Sequence, residues 1–413
     1  MKRIPFNAFV ALVCLAGSGL QIPAQTSAPA PQALSTSQPG ATSQTGPSQQ
    51  KAAAKPADAA PADDDPEEQI PVVRLEFKPA GVVPGVNGTS AFANPVVCSA
   101  DGVPYVSFVD TKSIGLHSVT SLDAKGSHIF SAQQIQGLYG IQTIAGVMVS
   151  DSMMGMLVNA TKDPSNPRTV DIGKDLPPLV LYPGKQRGFL AKFDLNGNFT
   201  RVVELELPEG WHIWRLAVLP DDSLLALGYD RINAQPHLVI LGSGGERKRD
   251  LQIPAEMQDN PLLSEGTSPD PNKQVQAGNT MNLWQFAVAR HKVLLFQLKS
   301  SAPILEVGAG GAVREVAIDH PKGYSIDGVL SSNDRWLIRF RKDGLSETGE
   351  INADSKTKNY VLYEIDPVDG SLRRQIEMAN GMFYSSSCEK DGTVTAFTMD
   401  QDKINLFSAD LGR

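Results

Sequence analysis

Cysteine is scarce: the 413-residue chain has three, and none sits in a Cys-x-x-Cys pair, which excludes the common zinc and thiol-redox motifs. No His-Glu-x-x-His, Gly-x-Ser-x-Gly or Gly-rich phosphate loop occurs, so the short signatures of zinc proteases, α/β-hydrolases and nucleotide binders are absent. The six histidines, His117, His128, His212, His237, His291 and His320, are scattered and read as solvated groups rather than ligands. Positive charge is also in short supply. Lys and Arg number 37 against 45 Asp and Glu, a net charge of −8. With no basic arm or stripe, a nucleic-acid partner is not expected. The basic clusters Arg247-Lys248-Arg249 and Arg373-Arg374 fall on outermost strands, where they keep sheet edges solvated.

Only one apolar run suggests a membrane. Residues 1–24 read as a secretory signal: Lys2 and Arg3, then Phe6–Leu15, then small residues up to Ala24. The run is shorter than the roughly 20 residues a span needs, so no span is expected in the mature chain. Cys14 lacks the preceding small residue of a lipidation site. The expected location is therefore outside the cytoplasm, periplasmic or extracellular. Residues 25–69 are rich in Pro, Ala, Ser and Gln and end in Asp63-Asp64-Asp65-Pro66-Glu67-Glu68. With almost no large apolar side chain, this segment cannot offset its ordering entropy and reads as a disordered tether. Residues 70–413 form the remaining domain, expected to be monomeric.

That domain repeats. Trp211–Pro254 holds four short apolar runs, Ile213–Leu219, Leu224–Leu227, Leu238–Leu241 and Leu251–Ile253, separated by turn-forming residues. Five further copies of the first two runs start near Asn94, Thr143, Leu283, Ile326 and Phe383. The second halves place Gly126, Gly197, Gly245, Gly311 and Gly370 in their turns, where glycine would supply positive φ. Six units over residues 70–413 are roughly 57 residues each, and one four-stranded sheet cannot bury both its faces alone. The sixth unit lacks a fourth strand. PVVRLEFKPAG (Pro71–Gly81) matches RVVELELPEG (Arg201–Gly210), a fourth strand in its own unit. An all-β, six-bladed β-propeller of four-stranded antiparallel blades is predicted, its ring closed by an N-terminal strand (Val72–Phe77) that completes the last blade.

The run AVLPDDSLLALGYD resembles the core of NHL-type repeats, and the domain resembles the six-bladed NHL/TolB-like propellers. That resemblance implies the fold but not the activity, because the group includes binding modules, lactonases and lyases. Three insertions, Thr161–Gly188, Ala255–Thr280 and Arg341–Asn359, fall in loops that an up-and-down blade sends to one face. The innermost strands start at that face. Their equivalent positions carry Asn94, Ile144, Trp214, Trp284, Asp327 and Tyr384, with Arg215 and Gln285 alongside.

Asn94, Trp214, Arg215, Trp284, Gln285, Asp327 and Tyr384 are thus the candidate ligand-binding residues, suited to a small polar ligand or a protein partner. The bland alternative packs the two tryptophans between blades as core. No catalytic residue is assigned and no cofactor is expected. The lactonase-like alternative would place calcium at the channel mouth, but Asn94 and Asp327 alone fall short of an oxygen-rich shell. A hydrolase or lyase and a structural envelope module are the rival functions to an exported binding protein. Cys98 and Cys388 occupy equivalent positions in neighbouring blades and are expected to face the same way round the ring, as free thiols rather than a disulfide.

Overall fold

The computed structural model describes residues 70–84, 89–92, 96–99, 101–110, 116–123, 126–141, 144–170, 179–182, 184–208, 211–230, 236–258, 283–289, 292–298, 300–330, 335–343, 359–378, 387–400 and 403–412. The expected signal and tether lie outside them, as do Asn94 and Tyr384.

Two strands precede the first blade: β1 (Val72–Leu75) and β2 (Lys78–Pro84). Blade one has an innermost strand in two pieces, β3 (Thr89–Phe92) and β4 (Val97–Cys98), then β5 (Pro104–Asp110), β6 (Leu116–Ser121) and β7 (Ile129–Ser131). Blade two uses β8 (Ile144–Val149) and β9 (Met154–Ala160). The hairpin β10 (Arg168–Val170) and β11 (Leu179–Leu181) interrupts it before β12 (Arg187–Phe193) and β13 (Phe199–Glu204). Blade three is β14 (Trp211–Val218), β15 (Leu224–Asp230), β16 (Pro236–Leu241) and β17 (Arg247–Leu251). Helix α1 (Ala255–Gln258) follows, and blade four is β18 (Trp284–Ala289), β19 (Lys292–Gln297), β20 (Ile304–Val307) and β21 (Val313–Val316). Blade five is β22 (Tyr324–Leu330), β23 (Trp336–Lys342), β24 (Tyr360–Ile365) and β25 (Leu372–Met378). Blade six is β26 (Ser387–Lys390), β27 (Thr393–Asp400) and β28 (Lys403–Asp410), with β2 as its fourth strand. The six blades form a ring, as predicted.

The apolar runs are continuous rather than alternating because a blade buries both faces. In β15, Leu224 and Ala226 pack with blade two while Leu225 and Leu227 pack with blade four. Each pair of neighbouring blades has such a cluster among the described residues, including Phe108 with Phe397 between blades one and six. Turn glycines let the blades approach. Gly245 has φ +90° and Gly370 φ +80°. A Cβ would collide with the carbonyl oxygen of Glu204 in the first case and of Ala317 in the second, both on the preceding blade. The Gly245 carbonyl accepts from the Glu206 N–H at 2.8 Å, and the Gly370 carbonyl from the Asp319 N–H at 3.0 Å. Gly197 and Gly311 also have positive φ, whereas Gly126 does not.

Ring closure follows the prediction in kind but not in strand. β2, not Val72–Phe77, pairs antiparallel with β28, from Lys78↔Ser408 to Pro84↔Lys403. β1 instead runs parallel to β25, Val72↔Gln375 to Leu75↔Met378, as a fifth, outermost strand of blade five. Leu75 is fully buried between blades five and six. KPAGVVP carries two prolines and a glycine, which an outermost strand tolerates because it pairs on one side only.

Cys98 and Cys388 form a disulfide, with Cα atoms 5.7 Å apart, contrary to the expected free thiols. The turns explain the difference. A two-residue turn separates Lys390 from its partner Thr393, whereas residues 99–103 join β4 to β5, with the Ser99 N–H donating to the Val103 carbonyl at 3.0 Å. Cys388 therefore pairs with Thr395 and Cys98 with Pro104. On the common Asp-Gly alignment these registers differ by one residue, and a one-residue slip turns a side chain to the other face. Cys98 shares the face of Val106 and Phe108, toward blade six; Cys388 shares that of Phe397, toward blade one.

A chain beginning at Phe77 should still unfold cooperatively in urea, whereas one beginning after Pro84 should lose cooperativity, because the edge of β28 is then bare. The reverse order would overturn the strand assignment. The double variant Cys98→Ala/Cys388→Ala should unfold with a loss of about 2–4 kcal/mol. An unchanged urea midpoint would show that the β2–β28 pairing closes the ring without help.

Candidate functional site

Three innermost strands carry one extra residue at a corresponding place. In β8 the pairing steps from Ile144↔Val158 to Gly146↔Leu157, in β14 from Ile213↔Gly228 to Arg215↔Leu227, and in β22 from Ile326↔Phe340 to Gly328↔Arg339. Ala145, Trp214 and Asp327 are the bulged residues, and bulges re-aim the side chains beside them. β18 has no such step: Trp284 pairs in register with Gln297.

The innermost strands of blades one to four enclose a cavity of about 80 Å³, room for roughly six water molecules. Its walls are mostly apolar, including Ile144, Val147, Leu216 and Phe286, with Ser107, Arg215 and Gln285 as polar groups. Ser107 reaches the cavity from a second strand, at the place where β5 passes between its partners β3 and β4.

Arg215 is largely buried. Its Nε donates to Gln285 Oε1 at 3.3 Å and its Nη1 to the Trp214 carbonyl at 3.2 Å. Its Cζ lies 5.2 Å from the centroid of the Trp214 ring. Burial alone pushes its pKa down to about 10, so it stays cationic at neutral pH. Among the described residues no carboxylate pairs with it.

The other candidates part company. Trp284 is fully buried in the core between blades three and four, so the core alternative holds for it. Trp214 is half-buried and packs against the same cluster while facing Arg215. Asp327 Oδ2 is taken by Arg339 Nη2 at 2.6 Å, and Arg339 also lies 5.8 Å from the Tyr360 ring centroid. Asp327 does not line the cavity. The structure therefore brings together Arg215, Gln285 and Trp214, and adds Ser107 and the apolar walls. A serine inside the apolar run PYVSFVD was the available signal for Ser107. Among the described residues no group of three or more His, Cys, Asp or Glu side chains converges.

The first insertion is tied to the link between blades one and two. Tyr139 and Thr161 exchange backbone hydrogen bonds of 2.8 and 3.0 Å, and the Tyr139 and Tyr182 rings are 5.5 Å apart. Within the link from blade four to blade five, His320 packs edge-on against Phe340 at 5.4 Å. Burial holds its pKa below the usual value, partly opposed by the Tyr324 backbone, Asp319 and Asp343. The folded state thus resists protonation. The stability this gives is full above the unfolded value of 6.5 and is lost as the pH falls through the lower folded pKa. In urea titrations between pH 7.5 and 5, His320→Gln should show a flatter loss of stability than the unaltered chain; parallel curves would place the sensitivity elsewhere.

No family model and no curated protein match the chain. Solved structures similar to it at low identity include the following three. A protein of unknown function from Bacteroides caccae is 10% identical, covers 70% of this chain and 82% of its own, and has a TM-score of 0.36. Porphyromonas gingivalis dipeptidyl peptidase 4 is 9% identical over 82% of this chain, with a TM-score of 0.33. A structure from a study of two prolyl endopeptidases is 11% identical over 78% of this chain, with a TM-score of 0.39. The chain spans 56% and 39% of those two peptidase chains.

Proposed function

We propose that this chain is an exported binding module, of the NHL/TolB-like kind, that takes a small polar ligand or the end of a partner chain at the channel mouth. The observation that carries this reading is the cavity between the innermost strands, with Gln285 at the second residue of β18 and Arg215 at the fifth of β14. Strand alternation sends the loops after β9 and β23, and the link after β17, toward that same end of the blades. These are the sites of all three insertions, and loops on a rigid scaffold are where binding residues concentrate. The Cys98–Cys388 disulfide supports export, since such bonds persist in oxidising compartments.

Thermal-shift screening of the purified chain against a library of small polar metabolites and short peptides would test the reading. Ligands should raise the melting temperature of the unaltered protein. They should fail on variants in which residues 162–186, 259–281 and 344–358 are each replaced by a short turn. Equal responses from all three shortened variants would move the binding surface away from this end.

A further inference from the structure

We propose that the central cavity is a receptor for a monocarboxylate, with the Arg215 guanidinium as its anchor. This rests on the channel-mouth reading above and adds the ligand's chemistry to it. A guanidinium offers five N–H donors in a planar fork. Two bonds, to Gln285 and to the Trp214 carbonyl, leave N–H groups on Nη1 and Nη2 that can meet the two oxygens of a carboxylate side by side. Trp214 holds the fork from its face.

Charge decides the class. Among the described residues, Arg215 is the one ionisable side chain lining the cavity, and the walls are mostly apolar. A monoanion would neutralise it, whereas a phosphate dianion would leave net negative charge in an apolar space. The volume of about 80 Å³ admits a carboxylate with a short apolar stem against Ile144, Val147 and Phe286. No other described group balances this cation. Packing alone does not require an arginine there, because an apolar side chain would fill the same space without a buried charge.

The test uses the full chain with sodium acetate, butyrate, chloride and phosphate as probes, read by thermal shift and calorimetry. Acetate and butyrate should bind saturably, and Arg215→Lys, which keeps the charge but loses the fork, should weaken them roughly tenfold or more. Arg215→Met should abolish binding, yet without ligand it should melt no lower than the unaltered protein, since it removes an unbalanced buried charge. Absence of saturable carboxylate binding would overturn the proposal. So would equal binding by Arg215→Met, chloride or phosphate matching acetate, or a large destabilisation of ligand-free Arg215→Met. Library ligands that are not carboxylates and ignore Arg215 would sink this inference while leaving the binding module intact. Carboxylate binding unaffected by shortening the insertions would do the opposite.

Discussion

Everything in this structure depends on blades burying both faces against their neighbours. A single four-stranded sheet has two apolar surfaces and nothing to cover either, so the runs at β15 and β19 make sense only inside a stack. Close approach then becomes a backbone problem. Gly245 and Gly370 solve it where the turn of one blade meets a carbonyl of the blade before. The turn must bend through positive φ, and no side chain can stand between the two backbones.

A ring made this way needs its last joint. The first described strands supply it, β2 as the outer strand of blade six and β1 as an extra edge on blade five. One segment therefore clasps two neighbouring blades, with Leu75 and Val83 as buried anchors. The disulfide fastens the adjoining interface, between blades six and one, at the innermost strands while β2 acts at the rim. The joint between chain ends is thus held at both its inner and outer edges.

The channel obeys a different rule from the blade interfaces. Bulges at Ala145, Trp214 and Asp327 interrupt the ladders on the channel side, and two of the three bring polar groups into play. Asp327 is balanced by Arg339. Arg215, one residue beyond its bulge, is not balanced by any described carboxylate, and burial lowers its pKa. Two cations beside equivalent kinks thus end in different states, and the difference lies in whether the neighbouring strand supplies or lacks an acid.

The period of the repeat, the number of blades, the places of the insertions and the need for an N-terminal closing strand were all legible in the chain. They follow from local patterns: apolar run lengths, turn residues and a missing fourth strand. The placement of Arg215 and Gln285 at equivalent positions of adjacent units was also visible, but the hydrogen bond between them was not. Nor was register. Whether Cys98 faces Cys388 and how each rim tryptophan is placed turn on a shift of one residue, whereas the choice between β1 and β2 as the partner of β28 depends on where the N-terminal segment crosses from blade five to blade six. One-residue shifts come from turn lengths and bulges that have no compositional signature. Trp214 sits on a bulge and Trp284 does not; the first stays half-buried with its ring facing Arg215, and the second is fully buried between blades three and four.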